Sequence, residues 1–551
     1  MRINRRKALA LLGLGAATPA AAQTAKPLGV SFDHGVASGD PRQDRVIIWT
    51  RITPQSPHRE IAYTWSVTPL DRRAGGAKKG SGVTGPDRDY TVKVDVTGLD
   101  AGRAYTFAFE SEGVASPVGR TQTLPAGPTK DVVLAVASCS LYPNGYFNAY
   151  KAIADLERVD AVLHLGDYIY EYGGPGSYGM DSPVAAQRHH DPFHEIVSLD
   201  DYRRRHAQYK ADPDTQAAHA RAPWIVVWDD HETANDSYVG GAENHQPETE
   251  GDWNARKARA LKAYFEWMPI REPAGGGLAE AAMRSFDFGD LATLIMVETR
   301  LTARTHQLSL KTDLPVVDGK PDVAAFKARL DDPSRRMMSD QQEAWIGAEA
   351  ARSVKSGRAW QVLGNQVVMA RVMPFSPKAV LTPDQLAAIT SEYPERVKAM
   401  EQAAALGVPT ALDMWQGYPV DRERLYRALD QANARPIVVS GDSHSFWANE
   451  LSDASGKLIA AEFGTTGITS PGAGMIAGGL NVGVPVAKAN PEVLFNDQVA
   501  KGFVLLTLTR DKARADLMAV STIVSRDFTT APVKSFEVTP QGAGVSRVKE
   551  V

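Results

Sequence analysis

Six stretches of this chain are short, continuous apolar runs, and that pattern limits the fold more than any other feature. They are VVLAVASC (132–139), DAVLHLGDYIY (160–170), WIVVWDDHE (224–232), TLIMVETR (293–300), WQVLGNQVVM (360–369) and PIVVSGDSH (436–444). A strand that is apolar at successive positions has no face to turn to water, so both sides of its sheet must be covered. Helix-like segments such as YFNAYKAIADLE (146–157) lie between several of the runs. Strands and helices alternating in this way predict an α/β core with a sheet buried on both faces. GFVLLTLTR (502–510) and ARADLMAVSTI (513–523) read as strands that close it.

The pattern upstream is different. RVIIWTRI (45–52), IAYTWSVT (61–68), YTVKVDVTGL (90–99) and AYTFAFES (104–111) are rich in β-branched and aromatic residues and separated by Gly, Pro and Asp. Such spacing predicts a small antiparallel sandwich of fibronectin or immunoglobulin type. TLPAGPTKD (123–131) reads as a linker. The expected organisation is therefore a β-sandwich over 28–125 and an α/β domain over 131–530, and 551 residues leave room for both. A net charge of −4 lacks the basic excess that nucleic-acid or membrane-surface partners usually require, so neither is expected.

The opening MRINRRKALALLGLGAATPAAAQTA reads as a targeting segment, residues 1–22. Arg5-Arg6 precede an apolar stretch from Ala8 to Ala17, and Ala20-Ala21-Ala22 offer small residues for cleavage near Gln23. The paired arginines favour the twin-arginine route, which implies that export machinery as a partner and a periplasmic or secreted location. No run approaches the roughly 20 apolar residues that span a bilayer, so no transmembrane anchor is expected. A chain folded before export can be loaded with metal first. The single cysteine, Cys139, has no partner for an internal disulfide, so in an oxidising compartment its thiol must be buried or ligated.

Four of the apolar runs end in residues that ligate metals. The first ends at Cys139, and the second at Asp167 with Tyr170 close behind. The third leads to Asp229-Asp230-His231-Glu232 with Asn235, and the last to Asp442 and His444. Ligands of open α/β sheets bind beyond the carboxyl ends of strands. Taken singly, each site has an ordinary reading: a packed thiol, an Asx turn at Gly166-Asp167, an acidic helix start, a hairpin loop. Four strand ends carrying such residues together point to a metal site.

At these residues the sequence resembles the PhoD-like alkaline phosphatases, within the calcineurin-type metallophosphoesterases. HGVASGDPRQDRVIIWTR (34–51), ASCS, HLGDYIYEYG, VVWDDHE, LGNQVVM, VVSGDSHSFW and TTGITSPG (465–472) match that family's landmarks in order and span nearly the whole chain after the targeting segment. The resemblance implies a two-layered β/α metallophosphoesterase core behind the sandwich, holding one ferric iron and one or two calcium ions. It implies that Cys139, Tyr170 and His444 bind iron, that Asp167 bridges iron and calcium, and that Asp442 faces the calcium side. The Asp229-Asp230 turn would add a calcium ligand, Asp230 being favoured, with Asn235 nearby. His231 matches the histidine that meets the substrate phosphate or protonates the leaving oxygen.

The ligand types agree with those metals. Thiolate, phenolate and imidazole suit iron, while carboxylate and amide oxygens suit calcium. The expected reaction is hydrolysis of phosphomonoesters, phosphodiesters or both, by attack of a metal-bound hydroxide on phosphorus. A phospholipase-D-like action on lipid or cell-wall polymer headgroups is the alternative within this class.

Some positions depart from the family pattern. Glu298-Thr299-Arg300 stand where Asp-Thr-Arg is frequent, which leaves Arg300 either structural or phosphate-contacting. Asn235-Asp236 stand where relatives often carry two asparagines. Some relatives cover the site with a C-terminal helix; no such tail is read here, which predicts a more open site. His189, His190 and His194 are expected to be solvated loop residues rather than a further metal site. Two other classes remain. A cysteine hydrolase built on Cys139, His231 and Asp442 would survive chelation and be killed by thiol alkylation. A non-enzymatic surface protein has no reason to keep ligand residues at every strand end.

Overall fold

The computed structural model describes residues 29–551 apart from 58, 72–74, 175, 274, 278–280, 282, 393 and 477–478. The targeting segment expected at 1–22 lies outside the described residues. The first part of the chain forms β1 (Val36–Gly39), β2 (Arg45–Arg51), β3 (Ile61–Pro69), β4 (Lys78–Thr84), β5 (Thr91–Thr97), β6 (Ala104–Ser111) and β7 (Gly119–Gln122). Then come β8 (Asp131–Ala137), α1 (Asn148–Ala154), β9 (Ala161–His164), α2 (Leu199–Ala211), α3 (Pro213–Arg221), β10 (Trp224–Val226) and α4 (Trp253–Trp267). The next elements are β11 (Ser285–Phe288), β12 (Ala292–Met296), α5 (Asp340–Lys355), β13 (Trp360–Gly364), α6 (Pro419–Gln431) and β14 (Pro436–Ser440). The chain closes with β15 (Phe446–Ser452), β16 (Leu458–Gly464), β17 (Val493–Asp497), β18 (Lys501–Thr509), β19 (Ala513–Val520), β20 (Thr530–Val538) and β21 (Lys549–Glu550).

The apolar runs do form buried strands, but they are divided between two sheets rather than gathered in one. A ten-stranded sheet runs β21-β20-β19-β18-β8-β9-β10-β1-β2-β5, and a seven-stranded sheet runs β11-β12-β13-β14-β16-β15-β17. Parallel pairing is confined to the middle of each, β8 to β1 in the first and β12 to β16 in the second. The flanking strands, among them both expected closing strands, pair antiparallel.

Alternation within each run explains the layering. In β8, Val132, Leu134 and Val136 point into a core shared with Leu294, Val362 and Val439 of the other sheet. Ala135 and Ala137 point the opposite way, against α1, α3 and α4 residues such as Tyr150, Ala218 and Tyr264. In β14, Ile437 and Val439 meet the first sheet while Val438 packs with Ile346 of α5 and Leu425 of α6. The molecule is therefore a mixed α/β fold in four layers, helix, sheet, sheet, helix. Local sequence signals start the covering helices: Ser198 forms a capping box on α2, and Asp252 and Ser339 cap α4 and α5.

A smaller sheet, β7-β6-β3-β4, packs on β2 and β5 through Val46, Ile48, Val92, Phe107 and Phe109. β2 and β5 are also the edge of the ten-stranded sheet, reached through β1 beside β10. The upstream sandwich thus shares one of its sheets with the α/β core. Gly39 permits that join, because a Cβ there would lie 2.2 Å from the Pro269 carbonyl and 2.6 Å from that of Trp224. The stretch read as a linker is pinned: Leu124 is buried, its N–H donates to Arg42 O, and that of Thr123 donates to Arg103 O.

Candidate metal centre

The carboxyl ends of the central strands of both sheets open onto one place. Cys139 follows β8, Asp167 and Tyr170 follow β9, Asp229 to Glu232 follow β10, Arg300 follows β12, and Asp442 and His444 follow β14. Turning so soon after a strand forces unusual backbone. Cys139 (φ 61°), Asp167 (φ 54°), Asp442 (φ 60°) and His444 (φ 55°) all adopt the left-handed conformation. Each such residue costs roughly 1–3 kcal/mol, and clusters of them mark functional sites. Gly166, at φ 108°, lets two of the turns touch: a Cβ there would lie 2.4 Å from that of Asp229. Glu232 ties the same turns together by accepting from the backbone N–H groups of Asp167, Tyr168 and Asp229 at 3.0, 2.6 and 2.7 Å.

Three overlapping groups of ligand atoms result, each with all its atoms within 4.8 Å of one another: Cys139, Asp167 and His444; Asp167, Asp230 and His231; and Asp167, Asp229, Asp230 and Asp442. Asp167 belongs to all three. The Tyr170 hydroxyl donates to Asp167 Oδ2 at 3.0 Å and lies 3.3 Å from His444 Nε2 and 2.6 Å from Ser470 Oγ. His444 Nδ1 is 3.2 Å from the Pro471 carbonyl and 3.0 Å from the Tyr178 hydroxyl, which leaves Nε2 for the cluster. Partners of this kind fix the orientation of a ligating histidine.

Electrostatics separate the two ends. Burial, together with Asp167 and Asp442, pushes the Cys139 thiol up, and burial with Asp167 does the same to the Tyr170 phenol. Without a cation both groups stay protonated; a cation turns them into ligands. Burial pushes His444 down to about 3, so its imidazole is neutral and able to ligate. His231 behaves in the opposite way. Burial works against its charge, but Glu171, Asp230 and Asp167 outweigh it and raise the imidazole well above its ordinary range.

Asp229 and Asp230 are held differently. Asp230 Oδ1 accepts from His231 N at 3.1 Å and Oδ2 from Asp236 N at 2.6 Å. Asp229 Oδ1 accepts from Arg300 Nε at 2.5 Å, while its Oδ2 is buried without a hydrogen-bond partner. Of the two, Asp229 has the open acceptor. Asn235 is at the margin, its backbone N–H donating to Glu171 and its side-chain amide to Glu243 at 3.2 Å.

Several site residues escaped the sequence reading. Glu171 Oε2 lies 2.6 Å from His231 Nδ1, and its Oε1 accepts from Asn235 N and Asn244 Nδ2, both at 2.8 Å. Its only sequence signal is its place next to Tyr170. Tyr178, eight residues beyond Tyr170, and Asp413, from a separate loop, border the cluster. Arg205, fully buried on α2, donates to the Tyr170 and Tyr172 carbonyls and fastens the loop that carries them. One expectation is overturned. His190 is 1% exposed, with Nδ1 on the Tyr172 carbonyl and Nε2 near the Tyr209 hydroxyl, so it is a buried support and not a solvated residue. His189 and His194 are exposed.

Known proteins share this arrangement of chain and fold. The family described as PhoD-like phosphatase, N-terminal domain, matches residues 17–125, and the PhoD-like phosphatase family matches 134–517. Over 535 residues the chain is 33% identical to alkaline phosphatase D of Bacillus subtilis (strain 168), spanning 94% of this chain and 82% of that protein. The solved structure of PhoD matches with a TM-score of 0.76 at 30% identity, over 94% of this chain and 92% of that one. The chain is a phosphoric ester hydrolase, and it belongs to the PhoD-like phosphatase family.

Proposed function

We propose that this chain is an exported phosphoesterase whose activity depends on one ferric ion and one or two calcium ions. The observation that carries the reading is the meeting of Cys139, Asp167 and His444, with the Tyr170 hydroxyl against the last two. Thiol, phenol, imidazole and carboxylate form a donor set for iron. Asp229, Asp230 and Asp442 add carboxylate oxygens of the kind calcium prefers, with Asp167 common to both sets and Asn235 beside them. The unpartnered Asp229 Oδ2 is an acceptor open to a cation. When bound, such cations polarise a phosphate and make a water acidic enough to attack it.

The remaining chemistry belongs to side chains. Glu171 holds His231 at Nδ1 and favours its protonated form, so Nε2 carries a proton towards the substrate. From there His231 donates to the leaving oxygen, or to a phosphate oxygen as negative charge builds. Tyr172 packs against His231, their rings 5.1 Å apart. The Arg5-Arg6 segment supports twin-arginine export to the periplasm or the medium. No helix among the described residues is long and apolar enough to cross a membrane.

A second reading, a diesterase for amphiphilic substrates of phospholipase-D-like character, is favoured by one feature. A cavity of about 590 Å³ begins at Asp236 and Asp413 and continues along Leu308, Leu310 and Leu406.

Purified protein tested on a chromogenic phosphomonoester and on diesters with short and long alkyl arms separates these readings. Chelation is expected to abolish hydrolysis, and iron with calcium to restore it. Activity that survives chelation but not thiol alkylation would reject the metal reading in favour of a cysteine hydrolase. A preference for long arms would select the second substrate class.

A further inference from the structure

Arg300 lies inside the carboxylate cluster. Its side chain is 0% exposed. Its Nε donates to Asp229 Oδ1 at 2.5 Å and its Nη2 to Asp442 Oδ1 at 3.3 Å, with Asp230 and Asp413 oxygens at 3.7 and 3.8 Å. A guanidinium this buried, with Nε and Nη2 committed to carboxylates and Nη1 enclosed without a partner, is placed to hold those carboxylates and not to meet a phosphate ester, so of the two roles open to Arg300 the geometry favours the structural one. The turn that carries it is fixed independently: Glu298 accepts from the backbone N–H groups of Arg300, Leu301 and Thr302 and from Trp228 Nε1. Arg300 is thus delivered among the carboxylates by a loop that Glu298 holds.

We propose that Arg300 is a built-in counter-cation, a positioning residue that holds Asp229 and Asp442 in place before metal arrives and then limits how strongly the cluster binds calcium. The inference rests on the metal reading above. Four carboxylates drawn this close repel one another unless cations lie among them, and a fixed guanidinium supplies one positive charge without a metal. Two carboxylates gripped through Oδ1 keep their second oxygens for a ligand, as the unpartnered Asp229 Oδ2 illustrates. The same charge repels a calcium ion sharing those carboxylates, so its removal should loosen the metal-free site and tighten the loaded one.

The test compares R300M with wild type, each stripped by chelator and then titrated with calcium, following melting temperature and calorimetric binding. Metal-free R300M is expected to melt roughly 3–5 °C lower than metal-free wild type, with less than half of that difference after loading. Its calcium affinity is expected to rise at least about tenfold. R300K keeps the charge, should stay near wild type in affinity, and serves if R300M does not fold. Equal loss of melting temperature in both states with no gain in affinity would make Arg300 a packing residue and overturn the proposal. A raised KM with unchanged calcium binding would also overturn it, by reinstating a substrate contact. If wild type itself shows no cation-dependent shift, the metal reading fails, and this inference fails with it.

Discussion

His231 and Glu171 form the smallest unit on which the reaction depends. Glu171 is buried and completes its hydrogen bonding through Asn235 and Asn244, so its carboxylate is fixed where it holds His231 Nδ1. H231A is expected to lower kcat by about 10²–10⁴-fold with metal content unchanged. E171Q keeps the shape but loses the charge that favours imidazolium, and should narrow the pH range of activity at its alkaline end. A pH–rate profile of E171Q that coincides with wild type would exclude that coupling. Stability carries a second signature. In the metal-free protein burial raises Asp229 to about 6 and both Glu232 and Asp236 to about 7. Groups that hold protons more tightly when folded stabilise the fold at low pH, and that contribution is lost as pH climbs from their ordinary value, about 4, through the raised ones. Asp230 runs the other way, since Arg300 and His231 outweigh its burial and hold it low, and so do histidines that burial pushes down, such as His164 and His444 at about 3. The carboxylate contribution is therefore read as a difference: between about pH 4 and pH 7 the metal-free wild type is expected to lose melting temperature relative to D236N, whose amide does not titrate, and bound cations to narrow the change. A difference that stays constant over that range would rule out this electrostatic role.

At the scale of elements, strand ends and the turns after them define the site. Gly166 shows how tightly the turns meet, since its backbone is left-handed and Asp229 occupies the space of any side chain. G166A should destabilise the protein by more than about 1 kcal/mol and weaken metal binding, both measurable by melting with and without cations. Much at this scale was legible in the sequence, because a strand covered on both faces cannot hide its apolar run. VVLAVASC and PIVVSGDSH announce both the strand and the polar residues beyond it. The division into two sheets was not legible: β8 and β14 alternate between inner and outer layers in the same way, and only pairing shows that they belong to different sheets. The burial of His190 is not legible in its local sequence because its partners, the Tyr172 carbonyl and the Tyr209 hydroxyl, come from elsewhere in the fold. Glu171 and Asp413 escaped for the same reason, their meaning lying in partners that the local sequence does not name.

The whole molecule is bound together more tightly than a sandwich followed by a catalytic unit. Trp49 of β2 donates to the Glu266 carbonyl of α4 at 2.8 Å, Arg271 pairs with Asp95 of β5, and Arg284 pairs with Asp40 just after β1. Because β1 is hydrogen-bonded beside β10, the upstream strands protect the edge of the sheet whose strands lead into the site. A chain truncated to begin at residue 126 is expected to be insoluble or inactive, as judged by circular dichroism and phosphatase assay; full activity would show the two parts to be independent. Distant stretches of chain meeting on shared cations are what the proposed hydrolysis requires, and diffraction from crystals of purified protein, with data collected on both sides of the iron absorption edge, locates the iron. One strong anomalous peak is expected within bonding distance of Cys139 Sγ, the Tyr170 hydroxyl and His444 Nε2. A peak elsewhere, or a fully active enzyme with no iron at that position, would overturn the metal assignment.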